Sequence, residues 1–313
     1  MYDLIIVGGS AAGVAAAIYA ARRRLHFLLI SHDIGGEVAS SGEIENYPGY
    51  VHTDGLEMTK KYEDQLAHNE VPMEIGSDVL AVAPIAEFDK NRDGEKIIAV
   101  KINQLSGQEK ILEARAVIVA SGIKPRHLGV SGETELYHHG VTYCTVCDGP
   151  LFKNKITATV GTGNSALESA LMMSQIAKKV FVLTKYPSFK GEQVLIDKVE
   201  SSPNVEILRE AITTRVIGEN AVSGLEYKNK TGAVMTLDAQ GVMVHIGQTP
   251  NSGFIQVGKD SNGQIIVDKL CRTNVPGIFA AGDVTDVPYK QIAIASGQGV
   301  IAALAAIEYI NRN

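Results

Sequence analysis

The first thirty residues alternate between apolar runs, a glycine-rich segment and a helical pattern. Residues 3–7 form an apolar run typical of a strand that is buried on both faces. Glycines follow within 8–13, a helical pattern extends from about Ala12 to Arg24, and a second apolar run covers His26 to Ile30. This order predicts a strand, a tight glycine turn, a helix and a second parallel strand.

The next eighty residues carry different patterns. Residues 35–50 predict an irregular loop, and a helix is predicted from about Gly55 to Asn69. Apolar and polar residues then alternate over 78–113, which predicts an antiparallel meander with turns at Asp93-Gly94 and Ser106-Gly107. A further buried strand is expected directly after it, at Ala116 to Ala120.

The opening pattern recurs in the second half, as a strand over 156–160, a glycine turn at 161–166, a helix to about Ala177 and a strand over 180–183. Residues 205–245 predict short strands with turns at Gly218, Gly224 and Gly232. The chain closes with a strand over 275–283 and a helix to about Asn311. Two such units predict an α/β fold with two Rossmann-like, three-layer ββα nucleotide-binding domains.

Composition narrows the class of protein. The chain has 313 residues and a net charge of −6, which does not favour a nucleic-acid partner. Three cysteines are too few for a disulfide framework, so a reducing compartment and a cytoplasmic location are expected. No targeting segment is recognisable, and the apolar stretch from Gly299 to Ile310 is expected to be too short to span a membrane.

The first glycine turn, Gly8-Gly9-Ser10-Ala11-Ala12-Gly13, follows the G-x-G-x-x-G spacing with Ser10 at the second glycine position. Backbone N–H groups at such a turn and a helix N-terminus can bind a pyrophosphate. Asp33 lies 20 residues after Gly13, where an acid that binds a ribose is expected. Taken alone, the same residues are also compatible with an ordinary tight turn between a strand and a helix.

Two of the three cysteines, Cys144 and Cys147, are two residues apart and are followed directly by Asp148. This spacing suits a disulfide that opens and closes in thiol–disulfide exchange. A zinc site would need two more ligands, and His138 and His139 are the nearest candidates, at an unusual spacing. A purely structural disulfide is less favoured because so short a ring constrains little chain.

Three residues outside these motifs can also be interpreted from the sequence. Asp283 ends an apolar strand, and it is either a helix cap or a carboxylate that accepts a hydrogen bond from a cofactor hydroxyl. Cys271 is far from the cysteine pair and is interpreted as a small buried apolar residue. His245 lies within an apolar strand and is interpreted as structural.

Seven motifs make the chain similar to the low-molecular-weight thioredoxin reductase family, and to the C-terminal flavoprotein part of the alkyl hydroperoxide reductase flavoenzyme. They are G-G-S-A-A-G at 8–13, I-E-N-Y-P-G at 44–49, A-S-G at 120–122, C-T-V-C-D-G-P-L-F at 144–152, G-T-G-N-S-A at 161–166, G-Q-T-P-N at 247–251 and T-N-V-P-G-I-F-A-A-G-D at 273–283. The segment at 287–299 favours the hydroperoxide reductase branch.

The resemblance implies a domain order and a flavin site. A discontinuous FAD domain would comprise 1–121 and 248–313, and an inserted NAD(P)H-binding-like domain at 122–247 would carry the cysteine pair. The candidate FAD residues are Gly8, Ser10, Ala11, Ala12, Gly13, Asp33, Gly35, Gly36, Glu37, Asn46, Val79, Ala120, Gly122, Gly282, Asp283, Lys290, Gln291 and Ile292.

The resemblance also implies a path for the electrons. Reduced FAD would pass two electrons to the disulfide, Cys147 would be the thiol next to the flavin, and Cys144 would attack the disulfide of a partner. Asp148 is the expected acid/base. Rotation of one domain, with hinges near Ser121–Pro125 and Gly247–Pro250, would let the pair and the nucleotide use the flavin in turn.

The resemblance indicates the partners as well. The hydroperoxide reductase branch usually carries an additional thioredoxin-like region before the flavoprotein part, and this sequence does not contain one. The expected partner is therefore a separate small thioredoxin- or glutaredoxin-like protein. Members of the family are commonly homodimers, and a homodimer is expected here. No metal is expected.

The second glycine turn departs from the family pattern. NADPH-using relatives have H-R-R-x-x-x-R after the next strand, whereas this chain has residues 184–190, T-K-Y-P-S-F-K, and lacks both paired arginines. Thr184 is also not the acid of an NAD site, and Thr162 could crowd a pyrophosphate. The candidate NAD(P)H residues are Gly161, Gly163, Asn164, Ser165, Ala166, Lys185 and Lys190.

Three interpretations of the electron donor stay open. NADPH could bind through the two lysines, NADH could bind without a ribose carboxylate, or ferredoxin, flavodoxin or another donor could reduce the FAD beside a degenerate nucleotide site. NAD(P)H is favoured. A flavin-binding redox sensor or scaffold without turnover is an alternative of another class, although a sensor does not need the acid next to the cysteines. A ferredoxin–NAD(P) reductase of similar fold would lack the cysteine pair.

Overall fold

The computed structural model describes residues 1–39, 41, 43–92 and 94–312. The chain forms two compact units. The first unit comprises Met1–Lys124 and Thr249–Asn313, and the second comprises Pro125–Gln248. The second unit is therefore an insertion in the sequence of the first.

The helices longer than a single 3₁₀ turn are α1 (Ala11–Arg22), α2 (Gly55–His68), α3 (Thr145–Asp148), α4 (Asn164–Ile176), α5 (Gln193–Ser201) and α6 (Ile292–Arg312). The strands are β1 (Tyr2–Gly9), β2 (Phe27–Ile34), β3 (Glu43–Ile44), β4 (Thr53–Asp54), β5 (Met73–Ile75), β6 (Asp78–Pro84), β7 (Ile98–Asn103), β8 (Glu109–Val119), β9 (Ile123–Pro125), β10 (Val141–Thr142), β11 (Ile156–Gly161), β12 (Lys179–Thr184), β13 (Val205–Arg209), β14 (Ile212–Gly218), β15 (Val222–Lys228), β16 (Val234–Asp238), β17 (Gly241–His245), β18 (Gln248–Pro250) and β19 (Ile278–Ala280).

The first unit is built on one large sheet with the order β5-β2-β1-β8-β7-β6, and β19 pairs with β8. Strands β5, β2, β1, β8 and β19 are parallel, whereas β6, β7 and β8 are joined as an antiparallel meander. The meander and the fold class are as predicted. The last strand of the meander and the strand expected at 116–120 form one continuous strand, β8. Its first three residues are exposed and its last four are buried, so the sequence pattern changes within one strand.

Two predicted turns and one predicted loop belong to the first unit. Gly107 has a φ of +81° and donates to the carbonyl of Gln104, as the predicted turn requires. The other predicted turn lies partly outside the described residues, since Asp93 is not among them. The predicted irregular loop at 35–50 contains a short 3₁₀ turn and the small strand β3.

Helix α6 packs against α1 in the core of the first unit. A Cβ atom at Gly299 would lie 2.0 Å from the carbonyl oxygen of Ala12, so only glycine permits this approach of the two helices. By length and composition α6 would suit a membrane span. The helix is longer than the apolar stretch expected at 299–310, and the fully buried Ala302 and Ala306 account for part of its apolar character as packing in the core.

The second unit has a parallel sheet with the order β10-β17-β11-β12-β13 and an antiparallel sheet with the order β14-β15-β16. Gly224 was predicted at a turn, and this prediction was wrong because it lies inside β15. A Cβ atom there would lie 2.8 Å from the carbonyl oxygen of Leu237. The glycine therefore permits a close approach of β16 and does not mark the end of a strand.

Candidate functional site

The first glycine turn brings β1, α1 and β8 unusually close together. Gly8 has a φ of +112°, and a Cβ atom on it would lie 2.2 Å from the carbonyl oxygen of Ala120. A Cβ atom on Gly13 would lie 1.7 Å from the carbonyl oxygen of Gly8. Both glycines are therefore required by contacts within the protein, and they set the N-terminus of α1 at the carboxyl edge of the sheet.

Ser10, the N-cap of α1, does not cap the helix with its side chain. Its hydroxyl instead donates to the carbonyl oxygen of Gly35 at 2.5 Å. Beside it, the backbone N–H of Gly36 donates to the exposed carboxylate of Asp33 at 3.1 Å. The uncapped N-terminus of α1 and an acid at the end of β2 thus lie together, in the arrangement that suits the pyrophosphate and ribose of a dinucleotide.

Asp283 follows β19 and is mostly buried. Burial raises the pKa of its carboxyl to about 6, Lys290 acts in the opposite direction, and Glu37 adds to the increase. No hydrogen bond from the described part of the chain reaches the Asp283 carboxylate. The ammonium group of the nearby Lys290 donates instead to the carbonyl of Thr285 at 2.6 Å. A buried acceptor of this kind fits a donor from a bound molecule, such as a cofactor hydroxyl.

Further predicted FAD residues lie around the same turn. The amide of Asn46 donates to that of Gln291 at 3.1 Å, which joins the 44–49 motif to the start of α6 at Ile292. Gly282 packs on Ala12, because a Cβ atom added to the glycine would lie 3.0 Å from the alanine methyl. Ala11 is buried in the first turn of α1.

Two predicted FAD residues, Val79 and Gly122, are not placed in direct contact with this cluster. Val79 lies on β6, where the preceding Asp78 is 3.3 Å from His32 at the end of β2. Gly122 follows β8, has a φ of +68° and accepts a hydrogen bond from Asn251. Both therefore lie near strand ends of the first unit.

Sequence reasoning missed Gln298 on α6. Its side-chain oxygen accepts from the backbone N–H of Gly282 at 2.9 Å and from the hydroxyl of Thr285 at 3.4 Å. Gln298 thus holds the turn that presents Asp283. Its only signal in the sequence was its position within the motif at 287–299.

The residues of this cluster fit FAD. An uncapped helix N-terminus beside small residues suits the pyrophosphate, Asp33 suits a ribose, and the buried Asp283 suits a hydroxyl of the cofactor.

Cys144 and Cys147 form a disulfide with a Cα–Cα distance of 5.3 Å. Cys144 is the N-cap of α3, and the backbone N–H of Cys147 donates to its Sγ at 3.3 Å. The zinc alternative has no support, because both thiols are joined to each other and no group of three or more candidate metal ligands occurs among the described residues. The pair is arranged for disulfide chemistry.

Asp148 is held beside the pair by Thr142, whose hydroxyl donates to the Asp148 carboxylate. The same hydroxyl oxygen accepts from the backbone N–H of Cys144 at 3.1 Å. His138 is close enough for the Asp148 charge to act on it, although burial is the larger effect and lowers the pKa of His138. Thr142 was not singled out in the sequence, yet it joins the acid to the first cysteine.

The residue before the pair is also anchored. The Tyr143 hydroxyl donates to the carboxylate of Glu133 at 2.9 Å and lies 2.6 Å from Nδ1 of His127. Glu133 is 1% exposed and also accepts from the backbone N–H groups of Leu128 and Gly129, each at 2.7 Å. A fully hydrogen-bonded buried carboxylate therefore fixes the chain that enters the disulfide.

His245 takes part in the same region. Its Nε2 lies 2.8 Å from the hydroxyl of Thr145, which lies between the two cysteines, and that hydroxyl lies 2.6 Å from the hydroxyl of Ser169. Burial lowers the pKa of His245 to about 4, so the imidazole is neutral at pH 7. The interpretation of His245 as a structural residue did not anticipate this contact with the cysteine segment.

The second glycine turn lies between β11 and α4. The hydroxyls of Thr162 and Thr184 lie 3.0 Å apart, so the Thr162 side chain is directed towards the end of β12. Asn164 exchanges two hydrogen bonds with Glu192, at 2.8 and 3.0 Å. Gly163 caps α4 without a side chain, and a Cβ atom on it would meet nothing within 4 Å. Ser165 is exposed and Ala166 is buried on α4.

Lys185 and Lys190 lie on the same aromatic ring. Their ammonium groups are 5.3 Å and 4.0 Å from the centroid of Tyr186. The backbone N–H of Lys190 also donates to the carbonyl of Thr162 at 2.9 Å, which ties this segment to the glycine turn. The two ammonium groups therefore lie over one ring in the segment that follows β12, next to the second glycine turn.

A disulfide next to an acid, on an α/β chain with two dinucleotide-type turns, defines the class of disulfide oxidoreductases that use nucleotide cofactors. The chain belongs to the pyridine nucleotide-disulphide oxidoreductase family, whose pattern matches residues 2–299.

The relatives of this chain include both a thioredoxin reductase and a component of an alkyl hydroperoxide reductase. A solved thioredoxin reductase from Streptococcus pyogenes is 34% identical, with a TM-score of 0.89 and coverage of 100% of this chain and 99% of that one. The F component of the Escherichia coli alkyl hydroperoxide reductase is 39% identical over 99% of this chain and 58% of its own length. A protein named NADH dehydrogenase from Ferdinandcohnia aciditolerans is 35% identical over 100% of this chain and 58% of its length. The chain thus spans less than two thirds of these two curated relatives.

Proposed function

We propose that the protein is an FAD-dependent dithiol/disulfide oxidoreductase that reduces a thioredoxin- or glutaredoxin-like protein disulfide through Cys144 and Cys147. The observation that carries the proposal is the formed disulfide beside Asp148, on a chain with two dinucleotide-type glycine turns. The similarity to the thioredoxin reductase from Streptococcus pyogenes over the whole chain supports this choice of substrate class.

The first unit would hold FAD, which supplies a two-electron carrier when bound. Gly8, Gly13 and the N-terminus of α1 would bind its pyrophosphate, Asp33 a ribose, and Asp283 a hydroxyl. The Asp283 carboxyl, with its raised pKa, gains a hydrogen-bond donor when the cofactor binds.

NAD(P)H is the proposed electron donor, bound at the second glycine turn. Lys185 and Lys190 supply the positive charge that the missing arginine pair would provide in NADPH-using relatives. The absence of an acid at Thr184, and the Thr162 side chain within the turn, favour one second candidate. In that candidate the nucleotide site is degenerate, and ferredoxin, flavodoxin or another donor reduces the flavin.

The cysteine pair passes two electrons on to the partner disulfide. Two electrons and two protons open the Cys144–Cys147 bond to two thiols, and Asp148 takes a proton from the thiol that becomes nucleophilic. The Cys144 thiolate attacks one sulfur of the partner disulfide and expels the other as a thiolate, which forms a mixed disulfide. Cys147 then attacks Cys144 Sγ and expels the second partner sulfur as a thiolate, which restores the protein disulfide. The proton held by Asp148 and the proton lost by the Cys147 thiol go to the two partner thiolates, so the partner leaves as a dithiol.

Three further features belong to the proposal. Electron transfer requires the pair to approach the flavin, and the connecting segments at 121–125 and 247–250 are the proposed hinges. The protein acts as a homodimer. Its location is the reducing cytoplasm, where a dithiol partner is maintained.

Trapping the mixed disulfide tests the roles of the two thiols. C147S, reduced and mixed with an oxidised thioredoxin, is expected to form a covalent complex through Cys144, because the resolving thiol is absent. C144S is the matched variant and is expected to form no such complex. Non-reducing electrophoresis and peptide mass spectrometry measure the adduct. A complex formed by C144S, or by neither variant, would contradict the proposal.

A further inference from the structure

Thr145 lies between the two cysteines, and its side chain is turned into the protein. The residue is 4% exposed, and its hydroxyl has two partners: Ser169 Oγ at 2.6 Å and His245 Nε2 at 2.8 Å. Ser169 is itself 4% exposed. A threonine hydroxyl can donate one hydrogen bond and accept others, so both contacts can be made at once.

The two partners belong to elements of the parallel sheet layer. Ser169 lies on α4, the helix that follows the second glycine turn. His245 is the last residue of β17 and is paired in register with Gly161, the last residue of β11. Thr145 therefore ties the cysteine segment to the rigid frame of the second unit.

Helix α3 is held at its two ends by Thr142, whose hydroxyl contacts the N–H of Cys144 and the carboxylate of Asp148. It is only four residues long, and its one large apolar side chain, Val146, is 51% exposed. In the oxidised protein the disulfide itself closes this turn. Once the disulfide opens, the covalent restraint disappears, and the hydrogen bonds of Thr145 and the chain on either side must keep the turn in place.

We propose that Thr145, held by Ser169 and His245, is a positioning residue for the reduced cysteine pair. It keeps the backbone N–H of Cys147 directed at Cys144 Sγ, a contact of 3.3 Å in the disulfide form. This inference rests on the proposed role of Cys144 as the attacking thiol. The N–H group stabilises the Cys144 thiolate, which is the nucleophile in thiol–disulfide exchange.

The test is the pH dependence of alkylation of the dithiol-reduced, flavin-containing protein. Iodoacetamide labelling of Cys144 is followed by peptide mass spectrometry from pH 5 to 9. T145V keeps the shape of the side chain and removes both hydrogen bonds, so the midpoint for Cys144 is expected to rise. Below both midpoints Cys144 should then be labelled about three- to tenfold more slowly, the change that corresponds to the loss of one hydrogen bond to a thiolate.

Three variants complete the experiment. T145S retains the hydroxyl and is expected to restore the wild-type midpoint. S169A removes one of the two partners and is expected to give a smaller shift in the same direction. T159V is the matched control, because the fully buried Thr159 hydroxyl on β11 makes no hydrogen bond within the described chain. It is expected to keep the wild-type profile.

The outcomes separate this inference from the proposed function. Labelling of Cys147 before Cys144 in the wild type would overturn the assigned roles of the thiols, and the inference with them. Labelling of Cys144 first, with coincident profiles for wild type, T145V and S169A, would overturn the inference alone. The titratable groups Asp148, His138, His139 and His245 lie in this region, as does Tyr143 with its partners Glu133 and His127, and all of them are unchanged in the four variants. If T145V does not fold, S169A against T159V decides the question.

Discussion

The two glycine turns of this chain occupy equivalent places after a parallel strand, yet they are built differently. At the first turn, Gly8 and Gly13 are required by backbone contacts of 2.2 Å and 1.7 Å that a Cβ atom would make. At the second turn Gly161, the counterpart of Gly8, is required in the same way, since a Cβ atom on it would lie 2.2 Å from the carbonyl oxygen of His245. The counterpart of Gly13 is Ala166, and a Cβ atom on the middle glycine, Gly163, would meet nothing within 4 Å. Both turns are therefore tight at their first glycine, and they differ at the middle position, where Ser10 donates to the carbonyl of Gly35 in the first turn and Gly163 leaves open space in the second.

The charged groups near the two turns differ in how far they are buried. Asp283 of the first unit is buried, with a raised pKa and no hydrogen bond from the described chain. Lys185 and Lys190 of the second unit are exposed and lie on the Tyr186 ring. A buried group that lacks a partner suits a ligand that stays bound, and exposed cations suit one that exchanges. This difference is the one that the proposed function requires, with a resident flavin at the first turn and a nucleotide that exchanges at the second.

The largest effect is expected from adding one methyl group to the first turn. G13A places a Cβ atom against the carbonyl oxygen of Gly8, so β1 and α1 must move apart. We expect a loss of about 3 kcal/mol in the free energy of unfolding and the loss of bound flavin. Urea unfolding and flavin absorbance of the purified protein measure both.

G163A adds one methyl group at the open middle position of the second turn. Because nothing lies within 4 Å of the added atom, its free energy of unfolding should stay within about 1 kcal/mol of the wild type, with a normal flavin content. Equal destabilisation by G13A and G163A would contradict the comparison of the two turns.

A smaller effect is expected for D283N. The Asp283 carboxyl has a folded pKa of about 6 against an ordinary value of 3.8, so the unfolded chain ionises at a lower pH than the folded protein. The stability of flavin-free wild type should therefore fall by about 2 to 3 kcal/mol as the pH rises from 4 to above 6, and D283N should lose this dependence.

Flavin binding should weaken in D283N, because the carboxylate that is proposed to accept a hydrogen bond from a cofactor hydroxyl is removed. Unfolding of the flavin-free protein at several pH values, and flavin titration, measure the two effects. A pH dependence that persists in D283N would show that another group is responsible.

The smallest effect is expected at the exposed lysines. K185Q and K190Q each remove one charge near the proposed 2′-phosphate. Each should lower the binding affinity for NADPH by about two- to fivefold, and the affinity for NADH by less. K179Q is the control, because Lys179 begins β12 and lies roughly 17 Å from its other end. Nucleotide titrations of the flavin-containing protein measure the affinities. Equal losses for NADPH and NADH would exclude a contact with the 2′-phosphate.

The sequence predicted those features that depend on local pattern. The period of apolar residues predicted the strands and helices around both turns, and the spacing of Cys144 and Cys147 predicted their disulfide chemistry. Prediction from the sequence failed where contacts between distant parts of the chain determine the structure. Gly224 looked like a turn but serves the close approach of β16, and the two segments of β8 could be joined only by seeing which strands it pairs with.

The candidate site was predictable to a similar degree. Asp33 lies at the end of β2 and Asp283 follows β19, so both could be selected from the chain, because strand ends meet at one edge of a parallel sheet. Gln298, Thr142 and the contact of His245 with Thr145 could not be found in this way. Each depends on a side chain that crosses from a distant part of the sequence, and polar residues of these types are common throughout the chain.

Anaerobic titration of the flavin-containing protein tests the central claim most directly, namely that electrons enter at the second glycine turn and leave through the cysteine pair. NADPH and NADH are added separately while the flavin absorbance is followed, and dithionite serves as the positive control. We expect at least one nucleotide to bleach the flavin below millimolar concentration and to open the Cys144–Cys147 disulfide. No bleaching by either nucleotide at millimolar concentration, with full bleaching by dithionite, would contradict the claim.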